Sequence, residues 1–305
     1  MIDFHRIQLQ DKEAYEQILM SCPTRGCEYA FCNLYFWGRQ EIAFLYGCAL
    51  FFTHVHGMSI YPYPIGSGDK KAALEAILAD AQERGIPCRI AGMTREDHEE
   101  LERLLPGRFY CRDDRDAADY VYTVEALADL KGKALQRKRN HVNRFRAANP
   151  DYTVVPITKE NLDIARTLVE DWYIHKVETT GGDYLLEQIA IERALNHYEA
   201  LGLDGMILYC NGEPAAMTMA SRMSPDTLDV HFEKALDQVD GAYAAINSEF
   251  AAYVRDKYPE IQYLDREDDM GLEGLRKAKL SYRPHHLVEK CRAYFVEDVD
   301  DTSLS

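Results

Sequence analysis

Twice along this chain, apolar residues alternate through three short segments and then recur at helical spacing, a rhythm that a β-meander followed by a packed helix satisfies. In the first run, Glu41–Tyr46, Ala49–Val55 and Met58–Tyr63 are rich in aromatic and β-branched residues and are parted by glycine, which predicts consecutive strands. The stretch IGSGDKK follows. Ala73, Leu74, Ile77, Leu78 and Ala81 then fall at i, i+3 and i+4 positions, which predicts a helix ended by Gly85. Cys88–Ala91 reads as a short strand. Thr94 reads as the cap of a helix reaching Leu104, with Glu96 and Asp97 in its first turn. Arg108–Cys111 and Tyr120–Val124 read as strands that complete this half.

The second run repeats the plan. Tyr152–Ile157 reads as a strand, and helices are expected over Leu162–Ile174 and Tyr184–Leu201. Met206–Cys210, Pro214–Arg222 and Thr227–Glu233 form the second meander, with Asn211-Gly212 as a strong hairpin turn. A helix is predicted from Gly241 to Lys257, with Ile246, Phe250 and Tyr253 on one face and Asp240 as its N-cap. Ile261–Leu264 is a predicted strand, Leu272–Leu280 a helix and His286–Phe295 a final strand. At 305 residues the chain is long enough for two cores. The fold class is α+β, and the expected domains are 1–129 and 151–296, joined by a helix at 130–150 and followed by an acidic tail at 297–305.

The joining segment opposes the charge of the rest. Net charge is −16, from 35 basic and 51 acidic residues, which argues against nucleic-acid binding over the whole surface. LKGKALQRKRNHVNRFRAANP, from Leu130 to Pro150, carries seven basic residues and no acid, leaving the remainder at 28 basic against 51 acidic. On a helical wheel Ala134, Leu135, Val142 and Phe145 share a stripe, and Lys133, Arg137, Asn140 and Arg144 cluster beside it. Arg139 and Arg146 flank the other edge. One reading is a linker helix with a solvated basic flank. The other is a helix that docks its stripe and offers its basic edge to an anionic ligand, since guanidinium forks match phosphate oxygens.

Other signals are weaker. The longest apolar run, Ile42 to Val55, is broken by Gly47, so no membrane span is expected. The charged N-terminus has no apolar core of a leader peptide, which points to the cytoplasm. None of the eight cysteines forms a C-x-x-C pair, and Cys22, Cys27 and Cys32 lack a histidine at metal spacing, so buried thiols are expected. His54 and His56 have no third ligand nearby, and no metal site is expected. Tyr29, Asn33, Tyr35 and Trp37 fit a lined surface or, more commonly, a core.

The order of elements resembles the GCN5-related N-acetyltransferase (GNAT) fold in tandem, as in the Fem-type peptidyl transferases that use aminoacyl-tRNA. FCNLYFWG at 31–38, DYVY at 119–122, LKGKALQRKRNHVNRF at 130–145, HFEKA at 231–235 and REDDMGLEGLRKAKLSYRP at 266–284 carry a closer resemblance. They are similar to a family of uncharacterised bacterial proteins related to the C-terminal domain of phosphatidylglycerol lysyltransferases. That resemblance covers nearly the whole chain and implies a tandem acyltransferase fold. It implies a role for Lys279, ahead of Tyr282-Arg283-Pro284, and for Asp229 on a central strand; the family's following Arg is replaced by Phe232.

Acyl transfer to an amine needs a base, an oxyanion donor and an acid for the leaving group. In a GNAT-like half these groups converge where the central strands splay. The strand ends there carry Asp229, Glu233 and Lys234, then Asp265, Glu267, Asp268 and Asp269. Tyr282 is a candidate acid, and Lys279 and Arg283 are candidate oxyanion or phosphate contacts, with neutralisation of the acidic cluster as the structural alternative. Those acids equally suit the N-terminus of the helix at Leu272. A pyrophosphate turn of the GNAT kind fits Gln238 and Gly241 but not Tyr243, and Asp237 and Asp240 would repel a pyrophosphate. Gly66-Ser-Gly68, with Lys70 and Lys71 behind, is a fainter signal of the same kind.

No tightly bound cofactor is expected. The acyl donor is either aminoacyl-tRNA, whose acceptor end would meet the basic helix, or acyl-CoA. The readings are an acyl- or aminoacyltransferase acting on an amine or hydroxyl, an acetyl-CoA-dependent GNAT enzyme, and a non-catalytic protein that binds an anionic ligand.

Overall fold

The computed structural model describes residues 1–21, 26–55, 57–180 and 184–298; Cys22, His56 and residues 299–305 of the acidic tail lie outside them. The chain forms two compact units. One holds Met1–Asp119, Asp268–Gly271 and Val288–Ser305, and the other holds Tyr120–Glu267 and Leu272–Leu287.

In the first unit, β1 (His5–Arg6), β2 (Gln40–Leu45), β3 (Cys48–Val55) and β4 (Met58–Pro62) form the expected antiparallel meander. Helices α1 (Lys12–Ser21) and α2 (Phe31–Trp37) precede β2, and α3 (Lys70–Arg84) follows β4. Strand β5 (Arg89–Met93), helix α4 (Arg95–Leu104) and strand β6 (Phe109–Asp113) come next. The sheet order is β1-β2-β3-β4-β5-β14-β6, where β14 is Cys291–Phe295. Helix α3 buries Ala73, Leu74, Ile77 and Ala81, and Gly85 ends it at φ 68°. Thr94 caps α4 by accepting from Asp97 N. Tyr29 and Asn33 are buried and belong to the core, whereas Tyr35 and Trp37 are half-buried. The seven described cysteines are free thiols.

Glycines 66 and 68 serve packing. A Cβ on Gly68 would lie 2.0 Å from the carbonyl oxygen of Tyr46, so the turn before α3 sits against the β2–β3 turn. Lys70 beside it pairs with Glu100 at 2.7 Å.

A buried polar cluster lies in the same unit. Lys290 Nζ is 2.8 Å from Asp119 and 2.6 Å from Glu28, with Cys27 Sγ at 3.9 Å. Asp119 also accepts from Cys27 N at 2.9 Å. Cys27, Glu28 and Asp119 stand close enough to share an ion, but the Lys290 ammonium stands among them and meets their charge. Burial pushes the Glu28 carboxyl up to about 7, with the Lys290 ammonium opposing and the Asp119 charge reinforcing the shift.

The second unit starts at Tyr120 within β7 (Asp119–Thr123), followed by α5 (Val124–Asp129) and α6 (Gln136–Ala148). Then come β8 (Thr153–Pro156), α7 (Leu162–Thr180), α8 (Leu185–Asn196) and α9 (Tyr198–Leu201). The meander is β9 (Asp204–Cys210), β10 (Glu213–Ser224) and β11 (Thr227–Ala235), followed by α10 (Ala242–Lys257) and β12 (Tyr263–Asp265). Helix α11 (Glu273–Leu280) and β13 (His286–Val288) close it. The sheet order is β13-β7-β12-β11-β10-β9-β8. Its core joins Leu208, Ala216, Leu228 and Val230 from the sheet to Phe145 of α6 and Ala245, Ile246 and Phe250 of α10.

Three expectations need correction. The first domain does not end at 129. Asp265 pairs with Val121 and Leu264 with Tyr122, so β7 belongs to the second sheet, and α5 and α6 join that unit's core. The predicted final strand over His286–Phe295 is two strands. β13 sits beside β7, while β14 pairs with both β5 and β6 in the first sheet. Asp240 does not cap α10; Gly241 holds the N-cap at φ 83°, with no side-chain cap bond.

Candidate functional site

The site forms where β11 and β12 part. The two strands run parallel through Thr227↔Tyr263, Leu228↔Leu264 and Asp229↔Asp265. Beyond Asp229, β11 continues to Ala235 with β10 beside it, while β12 has ended. Val230 pairs with Ala220 and Phe232 with Met219, so His231 is the extra residue of a β-bulge. The bulge shifts the alternation. Leu228 and Val230 face the core before it, and Ala235 faces the same core after it. Glu233 is therefore turned toward α10 and accepts from Asn247 Nδ2 at 3.1 Å.

Two constellations result. In one, His231 Nε2 and Ser221 Oγ are 2.8 Å apart, and His231 Nδ1 lies 3.5 Å from Asp229 and 3.4 Å from Glu267. Two carboxylates on the Nδ1 side favour a proton there, which leaves Nε2 to accept from Ser221. The side chains of Asp229 and His231 are 0% exposed, and that of Glu267 is 24% exposed, so Glu267 is the member that meets solvent. Lys279 Nζ donates to the carbonyl oxygens of Arg266 and Glu267, and so anchors the segment that carries them.

In the other, Arg266 Nη2 donates to Glu233 Oε1 at 2.8 Å. The Tyr282 ring has the Arg266 guanidinium 4.9 Å and Lys138 Nζ 3.9 Å from its centroid. Burial pushes the Tyr282 hydroxyl up to about 12, so it stays protonated at neutral pH. Burial and the neighbouring Arg266 and Arg137 push the Lys138 ammonium down to about 8.

Asp229, Glu233, Glu267, Lys279 and Tyr282 thus gather within the second unit. Asp268 falls in the first unit. It is one of three acids that build the loop after β12, each accepting from the backbone N–H two residues on: Asp265 from Glu267, Asp268 from Met270 and Asp269 from Gly271. None of them caps α11, whose N-cap is Leu272 without a side-chain bond. Lys234 faces the opposite side of β11 from Glu233. It pairs with Glu187 at 2.8 Å, sits 4.0 Å over Trp172, and is pulled down in pKa by burial.

On α6, Leu135, Val142 and Phe145 are buried as expected, whereas Ala134 is exposed and precedes the helix. Lys133, Arg137, Asn140 and Arg144 are exposed, which leaves a solvated basic edge. Arg139 donates to the carbonyls of Leu130 and Gly132 and so pins the turn before the helix. At the start of α10, Gln238 and Tyr243 are exposed, and a Cβ on Gly241 would lie 3.0 Å from Phe145 Cβ. The fit of α6 against α10 accounts for that glycine. Arg283 is exposed at φ 57°. The sequence reading passed over Lys138, Ser221, His231 and Arg266. For Lys138 the signal was present: it stands three residues after Leu135 and four before Val142, on the docking stripe itself.

Comparisons with known proteins agree with this architecture. The family model for phosphatidylglycerol lysyltransferase, C-terminal, matches residues 20–294. A conserved protein of unknown function from Bacteroides thetaiotaomicron is 38% identical, with a TM-score of 0.90 over 97% of this chain and 100% of that one. L-PGS from Bacillus licheniformis has a TM-score of 0.72 at 14% identity, over 100% of this chain and 96% of that one. FemX has a TM-score of 0.59 at 12% identity, over 97% and 98%. At such identities the likeness is one of fold, and the fold is two GNAT-like domains in tandem. An uncharacterised protein from Mycoplasmoides gallisepticum is 23% identical over 179 residues, 57% of this chain and 55% of that protein, so the chain spans about half the length of the curated relative it matches. Among the described residues no helix is long and apolar enough to cross a membrane. With the family model matched over most of its length, the chain belongs to the phosphatidylglycerol lysyltransferase C-terminal family.

Proposed function

We propose that the second unit moves an aminoacyl group from aminoacyl-tRNA to an amine or hydroxyl acceptor. The observation that carries this reading is the divergence of β11 from β12, which brings Asp229, His231 and Glu267 together at the strand ends, with Glu267 next in the chain to the Arg266 that pairs with Glu233 and faces the Tyr282 ring. In this reading the acceptor nitrogen or oxygen attacks the ester carbonyl and passes its proton to Glu267, the partly exposed carboxylate held by His231. The leaving ribose oxygen takes a proton from Tyr282, whose raised pKa keeps that proton in place until it is needed. Asp229 and Ser221 fix the imidazole, and Lys279 fixes the backbone that presents Glu267. The exposed edge of Lys133, Arg137 and Arg144 would track the phosphates of the tRNA acceptor end.

The packing of α6 on the start of α10 favours this donor over coenzyme A. Phe145 closes on Gly241, where a pyrophosphate would seek free N–H groups, and Asp237 and Asp240 flank the same turn. The test compares thermal shifts with charged tRNA, uncharged tRNA, coenzyme A and acetyl-CoA at low salt, followed by transfer of a labelled amino acid to amine and hydroxyl acceptors. A ligand at 100 times its Kd stabilises by about 2.7 kcal/mol, a visible shift. Charged tRNA should shift the protein, and Glu267→Gln should bind it but lose transfer. A shift with coenzyme A species alone would replace this reading by acetyl transfer. No shift with any of the four would leave an anion-binding protein without catalysis.

A further inference from the structure

Arg266 holds one unmet donor. Its Nη2 is committed to Glu233, and the second oxygen of that carboxylate is committed to Asn247, yet its Nη1 is buried with no hydrogen-bond partner. The Arg266 side chain is only 14% exposed. A buried guanidinium nitrogen without an acceptor is costly, and native proteins rarely leave one so. A second cation stands close by. Lys138 Nζ lies over the same Tyr282 ring that the guanidinium faces, and among the described residues no carboxylate lies within ion-pair distance of it. Arg266 and Arg137 repel its charge, and Glu233 attracts it.

The charges do not close. Lys138 and Arg266 supply two positive charges against the single negative charge of Glu233. A water molecule would satisfy the Nη1 hydrogen but leave that imbalance. An oxyanion meets both needs, because it accepts from Nη1 and cancels the excess charge. Tyr282, whose ring both cations approach, carries a hydroxyl that keeps its proton at neutral pH and can serve as a further donor. Lys279, the lysine singled out by the sequence motif, is turned away onto backbone carbonyls.

We propose that Lys138, Arg266 and Tyr282 form an oxyanion-binding site in the second unit, which takes a phosphate- or carboxylate-bearing small molecule bridging Arg266 Nη1 and Lys138 Nζ. The site stands whether or not the protein transfers an aminoacyl group, since it rests on unmatched charge and an unmet donor alone.

The test is isothermal titration of the full chain with inorganic phosphate, at pH 7 and an ionic strength held constant with chloride. Saturable binding is expected, weakened at least tenfold in Lys138→Met, a variant that removes no ion pair and should keep the wild-type melting temperature. Arg266→Lys keeps a charge for Glu233 but removes the fork, and should weaken binding too; Tyr282→Phe should weaken it less. Parallel titrations with glycerol 3-phosphate and with acetate identify the source of the oxyanion, and binding of either one with the same Lys138 dependence supports the site. If none of the three ligands binds, or if binding survives Lys138→Met and is lost instead in Arg137→Ala with Arg144→Ala, the proposal is overturned.

Discussion

Replacing Lys290 by Met should destabilise the first unit by about 3–5 kcal/mol, the usual cost of stripping one partner from a buried ion pair. The magnitude follows from what remains. The Lys290 side chain is 2% exposed and that of Asp119 0%, so water cannot take the place of the ammonium. Asp119 would keep only Cys27 N at 2.9 Å and the weak donor Cys27 Sγ at 3.2 Å. Glu28, already pushed up to about 7 by burial, would lose the cation that opposes the shift and take up a proton. At roughly 2–4 °C per kcal/mol for a unit of this size, the melting transition should fall by about 6–20 °C.

Urea denaturation followed by circular dichroism would measure the loss. In the variant Glu28 loses the opposing cation and shifts further up, so the folded form binds more protons than the unfolded one and the deficit should shrink as pH falls. The wild type should show a milder effect of the same sign. Glu28 with a raised pKa contributes stability that is full below about 4.5 and is lost as pH rises toward about 7. Adding Asp119→Asn to Lys290→Met should recover most of the loss. A Lys290→Met variant within 1 kcal/mol of wild type at pH 7, well below the range for a broken buried pair, would refute the claim that this cluster is buried and charge-matched.

Two further outcomes follow from the second unit. Gly241→Ala places a Cβ 3.0 Å from Phe145 Cβ at a φ of 83°, and should cost about 1–3 kcal/mol in thermal unfolding; an unchanged melting temperature would show that α6 yields there freely. Arg137→Glu with Arg144→Glu alters two exposed side chains, so the melting temperature should hold while the slope of log affinity for tRNA against log salt falls by roughly 1.5; an unchanged slope would remove the basic edge from the interface.

Local patterns carried the sequence reading a long way and then stopped at pairing. The two meanders, the capped α4 and the helix over Ala242–Lys257 were legible because alternation, caps and helical spacing are properties of neighbouring residues. Which sheet a strand joins is not such a property. Tyr120–Val124 and His286–Phe295 hold extended segments as expected, but their alternation is silent about partners more than a hundred residues away. The site divides along the same line. Glu233, Glu267 and Tyr282 were found because a strand-end cluster of acids and the terminal motif drew attention. His231 was passed over, since its place depends on a bulge that only the β10–β11 register reveals. Lys138 was lost among seven basic residues, although its position between Leu135 and Val142 set it apart from Arg137 and Arg144. The acids after β12 read equally as helix caps or as catalysts; none of them caps α11, and Asp265, Asp268 and Asp269 each accept from the loop's own backbone.

The insertion of β14 between β5 and β6 has a consequence for synthesis. On the ribosome the nascent first half emerges with β5 and β6 separated by a vacant slot, and the strand that fills it is not made until the whole second unit has been translated. The second unit needs only β7 from upstream, but its own last strand, β13, is made just ahead of β14, so both sheets wait on the same late stretch of chain. Until Cys291–Phe295 arrives, two unpaired edges face whatever strand comes by, so the early chain is the period of greatest exposure to mispairing and to chaperones that shield open edges.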